Sequence, residues 1–166
     1  MEWKQAVEQQ IRVESLRMAM ETAARDILPD VARRIFTDGK ASDGSDIGQY
    51  STRPLHIRKR DSPRAAGQDR GNTYFFPGGY RQFKVDIDRG ERVNLQVFGR
   101  LQSDYLTPKK SETLRGLTFS LKESENVKKK VHNEDHFGKD IFSLNTQERQ
   151  KVVRTISFEV ARRIRQ

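Results

Sequence analysis

Val93-Asn94-Leu95-Gln96-Val97-Phe98, followed after a polar stretch by Leu117-Thr118-Phe119-Ser120-Leu121, decides between an all-helical and a mixed reading of this chain. In the first run Val93, Leu95 and Val97 alternate with Asn94, Gln96 and Phe98, and in the second Leu117, Phe119 and Leu121 alternate with Thr118 and Ser120. A period of two is the spacing of a strand with one buried face. The spacing predicts one strand from Val93 past Gly99 to about Leu106 and a return strand from about Thr113 to Leu121. Pro108 to Glu112 is then a polar connection, and the whole forms an antiparallel hairpin. Gly99 and Gly116 mark bulges or places where backbones approach.

Both flanks of this hairpin read as helix. On the C-terminal side, Asn145 followed three residues later by Glu148 has the form of a capping box with asparagine as the cap. Val152, Ile156, Val160 and Ile164 then recur at every fourth position, flanked by Val153 and Ala161. Arg162, Arg163 and Arg165 fall in the last turns, where cations suit the helix dipole. On the N-terminal side, Leu16, Met20, Ala24, Ile27, Leu28, Val31 and Ile35 keep helical spacing. Arg25, Asp30, Arg33 and Arg34 fall among the charged residues assigned to the opposite face. Pro29 predicts a kink or a restart, and Gly39 ends the helix near Asp38. The expected fold is α+β in one domain, residues 1–166. It comprises a long N-terminal helix, a central antiparallel hairpin or small sheet carrying a basic loop, and a C-terminal helix packed on the sheet. Its segments are 1–37, 38–92, 93–121, 122–144 and 145–166.

Between helix and hairpin the chain is irregular. Asp38 to Gly48 is a turn-rich loop whose carboxylates lack the alternate-position spacing of a calcium loop, since Gly39 and Ala41 occupy ligand positions. Gln49 to Ile57 is a weak strand interrupted by Pro54. Arg58, Lys59, Arg60, Arg64 and Arg70, set among Pro63, Gly67 and Gly71, make a basic loop suited either to phosphates, to an acidic neighbour or simply to solvent. Tyr74, Phe75 and Phe76 anchor that loop to a core. A short helix is expected over Tyr80 to Asp88, although Val85 and Ile87 also permit a strand, and another over Ser124 to Glu134.

Composition narrows the function classes. The 166 residues carry 32 Lys and Arg against 23 Asp and Glu, a net charge of +9, and favour acidic partners such as nucleic acid. Hydrophobic residues make up 34%, so the core is modest for the chain length and neighbouring subunits are expected to complete it. The absence of cysteine excludes disulfides, thiolate metal sites and cysteine nucleophiles. No apolar run is long enough to span a membrane, and the polar first ten residues predict no classical signal peptide. Neither a phosphate-binding glycine loop nor a serine nucleophile elbow is present. His132-Asn133-Glu134-Asp135-His136 places two histidines at helical i, i+4 spacing, and His132, Asp135 and His136 form the one candidate metal set, as in a small metal nuclease. A solvated turn is the plainer reading, as a solvated face is for Asp86, Asp88 and Glu91. The chain therefore reads as a non-enzyme without cofactor.

Several strings in a fixed order carry a resemblance. They are Arg34-Ile35-Phe36 before the glycine loop, the run from Ile47 to Leu55, and Gly78-Gly79-Tyr80-Arg81-Gln82-Phe83. Val93 to Asp104 and Phe137 to Leu144 follow. In this order the chain resembles the tail-completion or head–tail connector proteins of tailed bacteriophages. Gly99-Arg100-Leu101 is similar to that family's Thr-Gly-x-Leu step, with Phe98 in place of the threonine, and the basic insert from Arg58 to Arg70 departs from a minimal member. The resemblance implies a virion structural protein made in the host cytoplasm. It would form a cyclic homo-oligomer at the neck, between portal and tail, with no catalysis. Head-to-tail contacts in a ring need two different faces. The candidates are the first helix at Ile27 and Val31 and the aromatic loop at Phe75, Phe76 and Tyr80, with the basic loop turned to DNA or an acidic ring partner. A basic nucleic-acid-binding protein is the competing expectation.

Overall fold

A computed structural model describes residues 2–61, 67–96, 99–113 and 116–164. The elements run α1 (Glu2–Phe36), β1 (Leu55–Arg58), a 3-10 turn (Lys59–Asp61), β2 (Gln68–Arg70), β3 (Thr73–Phe76), α2 (Gly79–Asp86), α3 (Arg100–Leu106), β4 (Lys109–Thr113), β5 (Gly116–Ser120), α4 (Ser124–Phe137) and α5 (Thr146–Ile164). The fold is α+β, as expected. Its strands form two antiparallel sheets, a three-stranded one in the order β1-β3-β2 and the two-stranded hairpin β4-β5.

The two long helices form the spine. Helix α1 continues through Pro29 rather than restarting there. It ends where Gly39 turns at φ +65° and the amides of Thr37 and Asp38 both donate to the Arg33 carbonyl. Helix α5 lies antiparallel to it, since Lys151 bonds Asp30 at 2.6 Å near one end and Arg163 reaches the Met18 sulfur at 3.6 Å near the other. The capping box at its start forms as the sequence predicts. The Asn145 amide donates to the Glu148 carboxylate at 2.7 Å, and the Glu148 amide donates back to Asn145 Oδ1 at 2.8 Å. Replacing Asn145 with alanine should therefore lower stability by about 1 kcal/mol, read as a lower urea midpoint with an unchanged slope.

The main core gathers Ile27, Val31, Ala32, Ile35 and Phe36 of α1 with Ala41, Ile47, Val93, Leu101, Ile141 and Phe142. A second, smaller cluster sits under the three-stranded sheet, where Phe76 and Phe83 meet edge to face at 5.5 Å between ring centres. Gly79 joins the two regions. Its φ is +70°, and a Cβ there would lie 2.5 Å from the backbone of Thr52 and Arg53, so only glycine fits.

The predicted strand from Val93 to Leu106 is not there. Residues 93–96 are irregular, Val97 and Phe98 lie outside the described residues, and Arg100–Leu106 is helix α3. Val93 is in the core and Leu95 packs against it, but the alternation does not make a strand. Asn94 and Gln96 turn inward to hold polar groups, and Leu95 adopts a positive φ of +51°, which breaks any ladder. The hairpin's first strand is instead Lys109–Thr113, the stretch expected to be a connection, which pairs Lys110 with Phe119 and Glu112 with Leu117. Ion pairs to α1, Arg17 with Glu112 at 3.1 Å and Lys110 with Glu21, tie this polar strand down where apolar burial does not.

Helix α4 is fastened by a residue from α3. The Asp104 carboxylate accepts from the amides of Lys122 (2.9 Å) and Glu123 (3.2 Å) and from the Asn126 side chain (3.0 Å). Burial alone would raise its pKa, but these donors outweigh the burial and hold it below the usual carboxylate value.

Candidate functional site

The residues nominated from sequence divide sharply by burial. Ile27 (5% exposed), Val31 (0%) and Phe76 (0%) are interior, so their apolar surface is already covered by their own chain and none can face a neighbour. Phe75 and Tyr80 are half-buried. Phe75 packs on His56 across the β1-β3 pair, and Tyr80 packs against Tyr50 and Phe83 with ring centres 5.2 and 5.4 Å away. The aromatic loop is thus chiefly the cover of the second cluster.

The basic loop keeps most of its charge outward. Arg58, Arg60 and Arg70 are exposed at one end of the three-stranded sheet. Lys59 pairs with Asp69 at 2.5 Å and stands over the Tyr74 ring, which removes it from the free set. Arg64 lies outside the described residues.

Next to the aromatic cover is a cleft of about 520 Å³ lined by Tyr50, Tyr80, Arg100, Lys129, His132 and His136, among others. The two histidines stack along α4 with ring centres 5.9 Å apart. They and Asp135 are exposed, and among the described residues no group of three or more His, Asp or Glu is disposed to hold a metal ion.

Behind Tyr50 sits a residue that sequence reading passed over. Lys84, on α2, is fully buried. Its ammonium donates to Asn94 Oδ1 at 2.8 Å and to the Gln96 carbonyl, and stands 5.1 Å from the centre of the Tyr50 ring. Burial, helped by the nearby Arg89 guanidinium, pushes its pKa down to about 8. Tyr50 donates to the same Asn94 oxygen at 3.2 Å and accepts from the Asn94 amide at 3.0 Å. These contacts account for the irregular course of residues 93–96.

Two exposed apolar surfaces stand out among the described residues. Along α1, Trp3, Val7, Ile11, Ser15, Ala19, Ala23, Ile27, Val31 and Ile35 recur at strict four-residue spacing. From Ser15 to Ile35 every member of this line is buried. Its first three members are not: Trp3 is 68% exposed, Val7 47% and Ile11 58%. Residues 5–14 are exposed throughout, so the first turns of α1 project past the end of α5. At about 1.5 Å per residue, the projecting part is about 20 Å long. On a different face, α1, α5, the hairpin and α4 border an open apolar groove of about 850 Å³, with Leu117, Phe119, Leu121, Val127, Val152 and Ile156 among its walls. Phe119 and Val127 remain 37% and 42% exposed at its edge.

No helix among the described residues is long and apolar enough to cross a membrane. Comparison with protein-family models, with curated proteins and with solved structures gives no match to this chain.

Proposed function

We propose that this chain is a structural assembly subunit that completes its burial against neighbouring copies, and that its place is the neck or tail-completion ring of a tailed phage. The observation that carries the assembly reading is the apolar line of α1, buried from Ser15 to Ile35 and exposed at Val7 and Ile11. A helix face that is apolar where nothing covers it marks an interaction surface. The accessible surface supports the same reading. It is 11635 Å², against about 8,500 Å² for a compact monomer of this mass. The neck placement rests on the ordered strings from Arg34 to Leu144. The exposed Arg58, Arg60 and Arg70 give such a ring a basic patch to set against packaged DNA or an acidic partner.

Quantitative peptide mass spectrometry on purified particles from the source that encodes the chain tests the placement. A ring predicts a fixed number of copies per particle, on the order of six to twelve for a cyclic assembly. Absence from particles, with the chain abundant in the producing cells, would overturn the placement. It would leave the basic patch, and hence nucleic-acid binding, as the function to pursue.

A further inference from the structure

We propose that the projecting N-terminal helix of one copy lies in the apolar groove of a second copy, so that subunits join head to tail. The chain offers two apolar surfaces that its own fold cannot bring together. Helix α1 is continuous from Glu2 to Phe36, and the groove is bordered by Met20, Ala24 and Leu28 of that same helix. A rigid helix cannot turn back onto its own flank, so the groove must take its occupant from another molecule, and the projecting turns must find their cover there.

A second copy is the occupant the chemistry favours. The groove walls are aliphatic and aromatic, and Val7 and Ile11 present one turn of matching apolar surface. The charges also match. Residues 2–14 hold Glu2, Glu8 and Glu14 against Lys4 and Arg12, a net −1 in a chain of net charge +9, with Glu14 already paired to Arg17, whereas Arg149 and Lys130, the latter paired to Glu134, stand at the groove. A helix of this length buries on the order of 400 Å² on each side. At about 800 Å² in total the contact falls below the roughly 1,000 Å² of a stable specific interface, so each single contact is weak and gains its strength from repetition around a ring. Because each subunit both gives a helix and receives one, the contact uses two different faces and can close into a ring.

The obvious rival is a symmetric coiled coil between two projecting helices. The steps of four from Val7 to Ile11 and on to Ser15 drift about 40° each around a helix of 3.6 residues per turn, but Val13 and Leu16 are exposed too, at 62% and 45%, and run on to Met20 in the steps of three and four of a coiled-coil seam. Disulfide products separate the two contacts.

The cysteine-free chain makes the test direct. Ile11→Cys and Phe119→Cys are prepared as separate proteins, mixed at high concentration and oxidised. The expected product is the mixed dimer linked between positions 11 and 119. Mixing Ile11→Cys with Arg154→Cys, on an exposed stretch of α5 away from the groove, sets the background. Dominance of the 11–11 disulfide would overturn the proposal in favour of helix–helix pairing, and no product above background would overturn it outright. Independently, Val7→Asp with Ile11→Asp should weaken self-association about tenfold or more while leaving the melting temperature of the dilute monomer unchanged, because both positions are exposed there. Unchanged association would also sink the proposal. This contact rests on the self-assembly part of the reading above and not on its location. The chain could be found in particles at ring stoichiometry with no 11–119 link, which would keep the neck placement and reject this interface.

Discussion

Replacing Arg34 with alanine should destabilise the fold by about 3–5 kcal/mol, the cost of stranding a buried charge. Arg34 was expected on the solvent face of α1, yet its side chain is 9% exposed and that of its partner Glu148 is 8%. The guanidinium joins four parts of the chain. It donates to Glu148 at 2.8 Å, to the carbonyls of Lys40 at 3.0 Å and Ile141 at 3.1 Å, and to that of Ser143 at 2.8 Å. It therefore fixes the end of α1, the glycine loop, the strap before α5 and the first turn of α5 in one arrangement. Removing it leaves a buried carboxylate unpaired and three carbonyls short of a donor, each with its own desolvation cost. For a chain of this size the expected fall in Tm is about 6–20 °C. The double variant Arg34→Met with Glu148→Gln separates charge from packing. It removes both charges while keeping an acceptor for the Asn145 amide, and should recover half or more of the loss. A loss below about 1 kcal/mol for Arg34→Ala would mean that water reaches the pair and that the network is not what holds these segments.

The same residue shows why part of the fold was legible and part was not. The capping box at Asn145 and Glu148 is local, three residues apart, and its chemistry is complete within one turn, so sequence sufficed to place α5. Helix α4, expected as a short polar helix over Ser124 to Glu134, runs on to Phe137, and for α2 the sequence leaves a strand open as the alternative. Arg34 was not legible, because its burial depends on carbonyls more than a hundred residues away, and a charge read alone argues for water. Strand β4 was missed because Lys109 to Glu112 carries no apolar alternation. Pairing to β5 and ion pairs to α1 supply what burial usually does.

The stripe read on α1 runs through Ala24, Ile27, Leu28, Val31 and Ile35 and continues backwards through Met20 and Leu16. Ile27, Val31 and Ile35 are buried as read, but the backward continuation follows the larger side chains one residue away from the buried line. The line that is buried runs through Ser15, Ala19 and Ala23, small residues that let α5 and the hairpin close tightly over the helix. Once that line is known, its continuation through Ile11 and Val7 identifies the exposed apolar surface. Three of the five residues first nominated for an interface proved interior for the same reason. Apolar periodicity reports which residues want cover, and only the packing reveals which of them already have it.

Between about pH 8 and pH 10.5 the wild-type chain should gain stability relative to a Lys84→Met variant, by up to about 3 kcal/mol. Lys84 is wholly buried and its pKa is pushed down to about 8 from 10.5. Below pH 8 the amine is protonated in both folded and unfolded chains, and the fold carries the full cost of a buried cation. As pH rises through 8 the folded chain releases the proton while the unfolded chain keeps it until about 10.5, so the folded state gains across that window. Tyr80 and Tyr105 act in the other direction. Burial raises both to about 12 from 10.0, so the unfolded chain ionises first and stability falls between about pH 10 and 12. Taking the difference between wild type and Lys84→Met cancels the tyrosines and isolates the amine. Urea unfolding at half-unit steps from pH 7 to 10.5 provides the measurement. Parallel stability curves would mean that Lys84 stays charged in the fold, held by Asn94 and the Gln96 carbonyl strongly enough to offset its burial. A rise confined to the wild type would establish a buried amine that is part neutral near pH 8, behind Tyr50 at the wall of the cleft.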